Sequence, residues 1–356
     1  MQIFDTLAEM GHEQVVLCQD EAAGYRGIIA VHSTVLGPAL GGTRFWNYDN
    51  DEAAIVDALR LARGMTYKNA VAGLNLGGGK SVIIGNNRTT DREMIFRAHG
   101  RFVESLGGRY VTAEDVGTST SDMDFVHMET DYVAGLAGRS GDPSPVTAHG
   151  VFRAIQASAK HRWGKDDLTG RTISVQGCGH VGYYLAKELH QAGAQLVVTD
   201  IDKERVQRVV DDFGAKAVAT EAIYAVDADI FAPCALGAII NDTTIPQLKV
   251  EVVSGAANNQ LLEERHGHEL EAKGILYAPD YVANAGGVIN VYSELAGWSS
   301  ARAFRKADEI FDTVLKVFEI AKQQGIPTFQ AADRLAEERI KKVGAMVRTW
   351  PQWPNK

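Results

Sequence analysis

The chain has 356 residues, a length that allows two domains of ordinary size. Hydrophobic residues make up 45% and charged residues 23%, which excludes wholesale disorder and fibrous repeats. Thirty-six Lys and Arg against 45 Asp and Glu leave a net charge of -9, which repels phosphate backbones and argues against nucleic acid as the main partner.

The N-terminal stretch carries Asp5, Glu9 and Glu13 and no apolar run, unlike a secretory signal. No segment reaches the roughly 18 apolar residues of a membrane span, so the expected location is the cytoplasm. Cys18, Cys178 and Cys234 are dispersed without a Cys-x-x-Cys pair and read as reduced thiols.

In chain order, 14–18 and 26–31 read as strands separated by a turn at Gly24. Residues 51–63 follow an Asn/Asp cap, with apolar side chains at 55, 56 and 59 at helical spacing. Residues 81–84 form a short β-branched run fit for a buried strand; 92–106 reads as a helix stopped by Gly107-Gly108, and 109–112 as a further strand. The segment 135–145, rich in Gly, Ser and Pro, reads as the approach to a linker. A helix is predicted over 151–161. Strand-like runs at 173–175, 196–198, 229–231, 250–253 and 275–277 then alternate with helical stretches, the pattern of a parallel, doubly wound sheet. Phe304, Phe311, Leu315 and Phe318 fall on one face of a single long helix ending at Gly325, and a shorter charged helix follows around 335–340. The predicted fold class is α/β, with a first α/β domain over 1–134, a Rossmann-type domain over 146–325 and a C-terminal segment over 326–356.

Within the second series, the apolar strand ending at Gln176 runs into Gly177-Cys178-Gly179-His180-Val181-Gly182 and then a helix. In such a Gly-x-Gly-x-x-Gly turn the first Gly makes the turn and the second admits a pyrophosphate. The third lets helix and strand approach closely, with the helix N-terminus facing the anion. Asp200 closes the next strand 18 residues beyond Gly182, near the spacing of about 20 for a carboxylate on the adenosine ribose. A carboxylate there favours NAD over the 2′-phosphate of NADP. The bland alternatives are a plain βα turn and a helix-start acid. Cys178 reads as a buried thiol and His180 as a ribose-facing imidazole. His266 and His268, two residues apart on a predicted helix, share no face, and no metal site is assigned.

The first domain holds Gly41-Gly42-Thr43-Arg44, then Tyr67-Lys68-Asn69 and Gly77-Gly78-Gly79-Lys80. Lys80 follows three glycines and precedes an apolar run, a setting that would strip solvent from its ammonium and lower its pKa. Lys68 would lower it further by like-charge repulsion. A lysine so tuned can act as a general base, while a charged neighbour holds a carboxylate. On local sequence alone, a phosphate clamp or a surface lysine fits equally well. A P-loop is rejected, because Asn75 stands where its first Gly belongs and Lys80-Ser81 leads into a strand. Asp115, at the end of a predicted strand, reads as a cleft carboxylate or a helix cap.

These blocks occur in order with Pro233-Cys234-Ala235, Gly255-Ala256-Ala257-Asn258-Asn259-Gln260 and Asn284-Ala285-Gly286-Gly287. Together they resemble the Glu/Leu/Phe/Val amino-acid dehydrogenase family over nearly the whole chain. The resemblance implies two domains around a cleft, with the C-terminal helix returning to the first, and an assembly that in this family is commonly an octamer. It implies NAD-dependent, reversible oxidative deamination of an L-amino acid to its 2-oxo acid and ammonia. Lys80 would be the general base and Asp115 its proton-transfer partner, while Lys68 would bind the substrate carboxylate. Thr147 would hold the nicotinamide carboxamide, Asn259 would lie between ribose and substrate, and Cys234, Ala235 and Asn258 would complete the cofactor contacts.

By the same pattern Leu40, Gly41, Ala113, Val288 and Val291 would surround the substrate. Leu40 stands where glutamate-specific members carry a lysine, which excludes glutamate and leaves leucine, isoleucine or valine. Tyr292 stands where leucine and phenylalanine members commonly show Ala, and the stretch from Asn290 to Tyr292 resembles aromatic-accepting members, so phenylalanine or tryptophan is the alternative substrate. Asn86-Asn87 replaces the usual Asp-Pro after the lysine strand. Outside this activity, a non-catalytic NAD sensor would have no need of Lys68 and Lys80, and a hydroxy-acid dehydrogenase would use a His–acid pair that the first domain does not offer at a strand end.

Overall fold

The computed structural model describes residues 2–136, 138–139 and 141–346. It divides into two units, Met1–Val133 with Arg334–Lys356, and Ala134–Asp333. Among the described residues no helix is long and apolar enough to cross a membrane.

The first unit contains β1 (Gln14–Asp20), β2 (Tyr25–Ser33), β3 (Ala39–Trp46), β4 (Gly77–Ile84) and β5 (Tyr110–Glu114), with α1 (Ile3–Met10), α2 (Asp51–Val71), α3 (Glu93–Glu104) and α4 (Thr120–His127). The sheet order is β1-β2-β4-β3-β5; β1–β2 and β2–β4 are antiparallel, β4–β3 and β3–β5 parallel. Strand β3 was not legible as a strand in a segment carrying Pro38 and two glycines, and β4 starts four residues earlier than its apolar run. Helix α2 is capped by Asn50, whose Oδ1 accepts the Ala53 N–H at 2.8 Å, with Asp51 and Glu52 in the first turn. Of the three apolar positions read from the sequence, Leu59 is buried and Ile55 packs beside it, and only Val56 turns outward. Ala54, Ala58, Leu59 and Ala62 lie against Ile28, Ala30 and Val82, while Val56 is 47% exposed. A stripe of alanines lets the helix axis come close to the sheet.

The second unit holds six parallel strands in the order β11-β10-β9-β6-β7-β8. They are β6 (Thr172–Gln176), β7 (Gln195–Thr199), β8 (Lys216–Ala217), β9 (Ile230–Pro233), β10 (Val252–Val253) and β11 (Leu276–Tyr277). The helices are α5 (Ser144–Trp163), α6 (His180–Gln191), α7 (Lys203–Phe213), α8 (Glu264–Ala272), α9 (Asp280–Ala283), α10 (Gly286–Leu295), α11 (Ser300–Asp308) and α12 (Ile310–Gln324). The reversal of strand order beside β6 is the doubly wound topology that the alternation predicted. Helix α5 begins at Ser144 inside the segment read as a linker approach, with Pro145 in its first turn, where the missing N–H costs nothing. The predicted long helix is two helices: Glu309 ends α11 and precedes α12.

Helix α13 (Thr328–Gly344) is longer than the charged core of its pattern. Its first turn belongs with the second unit, where Thr328 Oγ1 donates to the Tyr277 carbonyl at 2.6 Å. From Arg334 onward it belongs with the first, where Glu337 accepts the Tyr67 hydroxyl at 2.9 Å and Arg339 donates to the Leu74 carbonyl at 3.2 Å. Residues 347–356 of the predicted C-terminal segment lie outside the described residues.

Candidate active site

Side chains alternate across a sheet, and the register of the first unit sets Leu40, Gly42 and Arg44 of β3 on one face with Gly78, Lys80 and Val82 of β4 and Ala113 of β5. Asp115 follows directly on β5. A missing side chain makes room on this face: a Cβ on Gly42 would stand 2.8 Å from Cβ of Asp115. On the other side of the strand a Cβ on Gly41 would meet the Gly79 carbonyl oxygen at 1.7 Å, so β3 and β4 approach closely there as well. Between these strands Lys80, only 4% exposed, reaches Asp115 Oδ2 with its Nζ at 2.8 Å.

Burial is the strongest influence on Lys80 and lowers its pKa below the usual lysine value; Asp115 opposes this, and Arg44 adds to it. The repelling cation at Lys80 is thus Arg44, where the sequence pointed to Lys68. Burial pushes Asp115 upward, yet Lys80 and Arg44 outweigh it and hold the carboxyl below the ordinary range. Lys68 sits half-buried near the end of α2. Leu40 and Ala113 are buried, at 2% and 8% exposure.

On the opposite face the sheet carries a closed polar network. Thr43 Oγ1 bonds Ser81 Oγ at 2.7 Å, Thr112 Oγ1 at 2.5 Å and His99 Nε2 at 2.9 Å, and His99 Nδ1 meets the Tyr25 hydroxyl at 2.9 Å. The Tyr110 hydroxyl donates to the Gly41 carbonyl at 2.6 Å. Burial drives His99 down to about 3, so the imidazole stays neutral and its two nitrogens join strands to helix as one donor and one acceptor. This network was not anticipated.

In the second unit, β6 runs into Gly177, whose φ of +105° favours glycine, and α6 starts at His180 with Gly179 as its N-cap. A Cβ on Gly182 would lie 1.9 Å from the Gly177 carbonyl oxygen, so only glycine lets this helix start so close to its strand. In front of Gly179, by contrast, the nearest atom to such a Cβ is Arg205 Nη1 at 3.8 Å, which leaves the turn open to an approaching pyrophosphate. Asp200 does not cap the next helix; Asp202 does, accepting from the Glu204 and Arg205 N–H groups. Asp200 instead accepts the Cys178 N–H at 2.7 Å, which fixes its carboxylate over the glycine turn.

Cys178 is buried with its thiol pushed up to about 12, and His180 is exposed, with Nδ1 3.4 Å from Asp142. Burial likewise pushes Cys234 up to about 12. Val181 lies in the first turn of α6, and Ala235 packs against Gly177, whose Cβ would meet it at 2.9 Å. Asn258 and Asn259 are exposed on a loop held by Asn284, whose Nδ2 donates to Asn258 Oδ1 at 2.9 Å; Asn259 has φ +50°. Thr147, on α5, donates to the Pro143 carbonyl at 2.9 Å and lies 3.0 Å from where a Gly287 Cβ would stand. Val288 and the half-buried Val291 follow on α10. The open glycine turn, a helix N-terminus and a fixed carboxylate fit a dinucleotide such as NAD.

Among the described residues one cluster, Asp242, His266 and Glu269, has ligand atoms within 4.8 Å of one another. Arg265 already binds Asp242 at 2.6 Å and Glu269 at 2.9 Å. His266 Nδ1 accepts the Glu263 N–H at 3.0 Å, which leaves the proton on Nε2. A guanidinium and a protonated nitrogen do not make a cation site.

Arg44 was missed by sequence reasoning. Its signal was a permanently charged side chain in a mostly buried strand, which demands a partner. It has two: Nε donates to Asp115 Oδ2 at 3.0 Å and Nη1 to Asp57 Oδ2 at 2.8 Å.

A doubly wound parallel sheet with a glycine-rich turn, on one chain with a buried lysine–carboxylate pair, defines a Rossmann-type α/β enzyme. Residues 12–132 match the family model "Glu/Leu/Phe/Val dehydrogenase, dimerisation domain", and residues 138–204 and 197–347 match "Glutamate/Leucine/Phenylalanine/Valine dehydrogenase". A leucine dehydrogenase of Bacillus cereus is 60% identical over 343 residues, 96% of this chain and 94% of that protein. A leucine dehydrogenase of Thermoactinomyces intermedius is 61% identical with the same coverage of 96% and 94%. The crystal structure of L-tryptophan dehydrogenase from Nostoc punctiforme matches with a TM-score of 0.87 at 48% identity, over 96% of this chain and 99% of that one. The chain belongs to the Glu/Leu/Phe/Val dehydrogenase family of amino-acid dehydrogenases.

Proposed function

We propose that the protein catalyses the NAD-dependent, reversible oxidative deamination of a branched-chain L-amino acid, L-leucine with isoleucine and valine, to the 2-oxo acid and ammonia. The observation that carries this reading is the 2.8 Å pair of Lys80 and Asp115, a buried amine with lowered proton affinity beside a carboxylate. The close likeness to leucine dehydrogenases supports the choice of substrate.

The nicotinamide of bound NAD supplies the hydride acceptor for the substrate Cα. Lys68 pairs with the substrate carboxylate and so orients Cα. Lys80, neutral in its working form, takes a proton from the water that adds to the iminium carbon, and Asp115 receives and returns protons as ammonia departs. The side chains assigned to the substrate, Leu40, Ala113, Val288 and Val291, are all aliphatic. They offer no charge to the distal carboxylate of glutamate, whose unpaired burial costs several kcal/mol.

Asp200 over the glycine turn supports NAD rather than NADP. The chemistry needs no nucleic acid, membrane or metal. A homo-oligomer, with the octamer that the resemblance implies, and a cytoplasmic setting complete the proposal; the dimerisation-domain match over 12–132 supports self-association.

A phenylalanine or tryptophan preference is the second reading, and the likeness to L-tryptophan dehydrogenase favours it. Tyr292, the residue that pointed that way, stacks edge-on against Trp298 at 5.0 Å.

The test is NADH formation from L-leucine, isoleucine, valine, phenylalanine, tryptophan and glutamate. Branched-chain turnover is expected to exceed the rest, and glutamate to give none. Tight NAD binding with no turnover of any amino acid would favour a sensor. Reduction of 2-oxo-isocaproate without ammonia would make the protein a hydroxy-acid dehydrogenase. Lys80→Ala is expected to abolish turnover while NAD still binds.

A further inference from the structure

Reading Lys80 and Asp115 as the proton-handling groups leaves a third charge beside them unexplained. Arg44 Nε and Lys80 Nζ bind the same oxygen, Asp115 Oδ2, at 3.0 and 2.8 Å. Asp115 Oδ1 takes no hydrogen bond among the described residues. The guanidinium, 21% exposed, is itself anchored at its far end: Nη1 reaches Asp57 Oδ2 at 2.8 Å, which also accepts the Tyr48 hydroxyl at 2.6 Å. Arg60 Nη2 takes the other oxygen of Asp57 at 3.0 Å. Four side chains thus spend their bonding capacity on keeping one carboxylate oriented.

We propose that Arg44 is a positioning residue for proton transfer: it clamps Oδ2 of Asp115, reserves Oδ1 as the oxygen that exchanges a proton, and sets a second positive charge beside Lys80. This deepens the function proposed above and rests on it. Spanning two carboxylates at once requires a planar fork of donors, which a lysine at this position cannot supply.

The charged and titratable groups around the pair come from each packed element. Arg44 stands on β3, Lys80 on β4 and Tyr110 on β5; Asp57, Arg60 and Lys68 stand on α2, and Tyr48 between β3 and α2. Of these, Arg44 weakens the hold of Lys80 on its proton and Asp57 strengthens it. Removing either therefore moves the titration of Lys80 in opposite directions.

The experiment measures kcat, KM for L-leucine and the pH profile of kcat/KM with NAD for the full-length enzyme and its variants Arg44→Gln, Arg44→Lys and Asp57→Asn. Misplacement of a reacting group by about an ångström costs on the order of 100-fold, so Arg44→Gln is expected to lower kcat by about 10- to 100-fold with little change in KM. Its acid limb, where Lys80 must lose a proton, is expected to move to higher pH. Arg44→Lys is expected to restore the position of that limb through its charge while kcat stays low. Asp57→Asn, which leaves Arg44 in place and covers the case in which Arg44→Gln fails to fold, is expected to move the limb to lower pH. A wild-type limb in Arg44→Gln, or a shift of both variants in the same direction, overturns the proposal. Lys80→Ala measured alongside separates the two readings. If it retains turnover, the function proposed above fails; if it is inactive while Arg44→Gln keeps the wild-type profile, only the role of Arg44 is lost.

Discussion

Gly78 has no side chain, and the backbone nitrogen of Thr66 lies 2.0 Å from where its Cβ would stand. Helix α2 therefore rests directly on strand β4 two residues from Lys80, and the turn of helix that follows Thr66 carries Lys68. The spacing between the two lysine-bearing elements is set by one absent methyl group.

Gly78→Ala is accordingly expected to force α2 off the sheet. Overpacking of this kind costs about 1–3 kcal/mol or more, read as a fall in denaturant midpoint. Activity should fall further than stability, because Lys68 and Lys80 separate. An alanine variant with unchanged midpoint and activity would show that α2 has slack to move.

Leu40→Lys places an ammonium among aliphatic side chains where Leu40 is buried. Loss of apolar contact is worth roughly 1–3 kcal/mol per methylene-scale change, so kcat/KM for L-leucine should drop at least about tenfold. Turnover of L-glutamate, whose distal carboxylate can pair with the new charge, should become measurable. If leucine remains the better substrate by its original margin, Leu40 does not face the substrate.

Asp200→Ser removes the carboxylate but keeps an acceptor for the Cys178 N–H. The expected outcome is weaker NAD binding together with a narrowed preference for NAD over NADP, measured as the ratio of their kcat/KM values. An unchanged ratio would remove Asp200 from the cofactor site.

His149 is held between two acids, with Nδ1 3.0 Å from Glu188 and Nε2 3.0 Å from Asp308, tying α5 to α6 and α11. Burial alone would lower its pKa, but the two carboxylates outweigh it and raise the value above the ordinary 6.5. A raised pKa means that the folded chain binds the proton more tightly. The contribution to stability is complete below about pH 6.5 and is lost as pH rises through the folded value. Thermal midpoints of the wild type should therefore fall as pH rises above about 6.5, and His149→Gln should flatten that part of the curve. A variant with the same slope as the wild type would locate the titration elsewhere.

The second unit was legible because its signals are local. A β-branched run, a glycine turn and a closing acid each have a short-range cause, and the six-stranded parallel sheet follows from their repetition. The first unit was harder to read where context decides. The segment of β3 carries Gly41 and Gly42 and looks like a loop, yet it is a strand because β4 and β5 pair with it on both sides. Lys80 and Asp115 could be singled out by their neighbours in sequence, but their pairing came only from the family resemblance, since local sequence does not show which parallel strands long connections bring together. Arg44 escaped notice for the same reason: its two partners, Asp57 and Asp115, stand 13 and 71 residues away. The break at Glu309 left no mark, because both helices keep their apolar residues in nearly one phase.

Helix α13 crosses from one unit to the other within a single run of backbone. During synthesis the second unit is contiguous and can be finished as soon as Asp333 leaves the ribosome. The first unit, begun earlier, must wait for Glu337 and Arg339 to brace Tyr67 and Leu74 at the end of α2. The end of the lysine-bearing helix thus receives its support from residues 265 and 270 positions further along the chain.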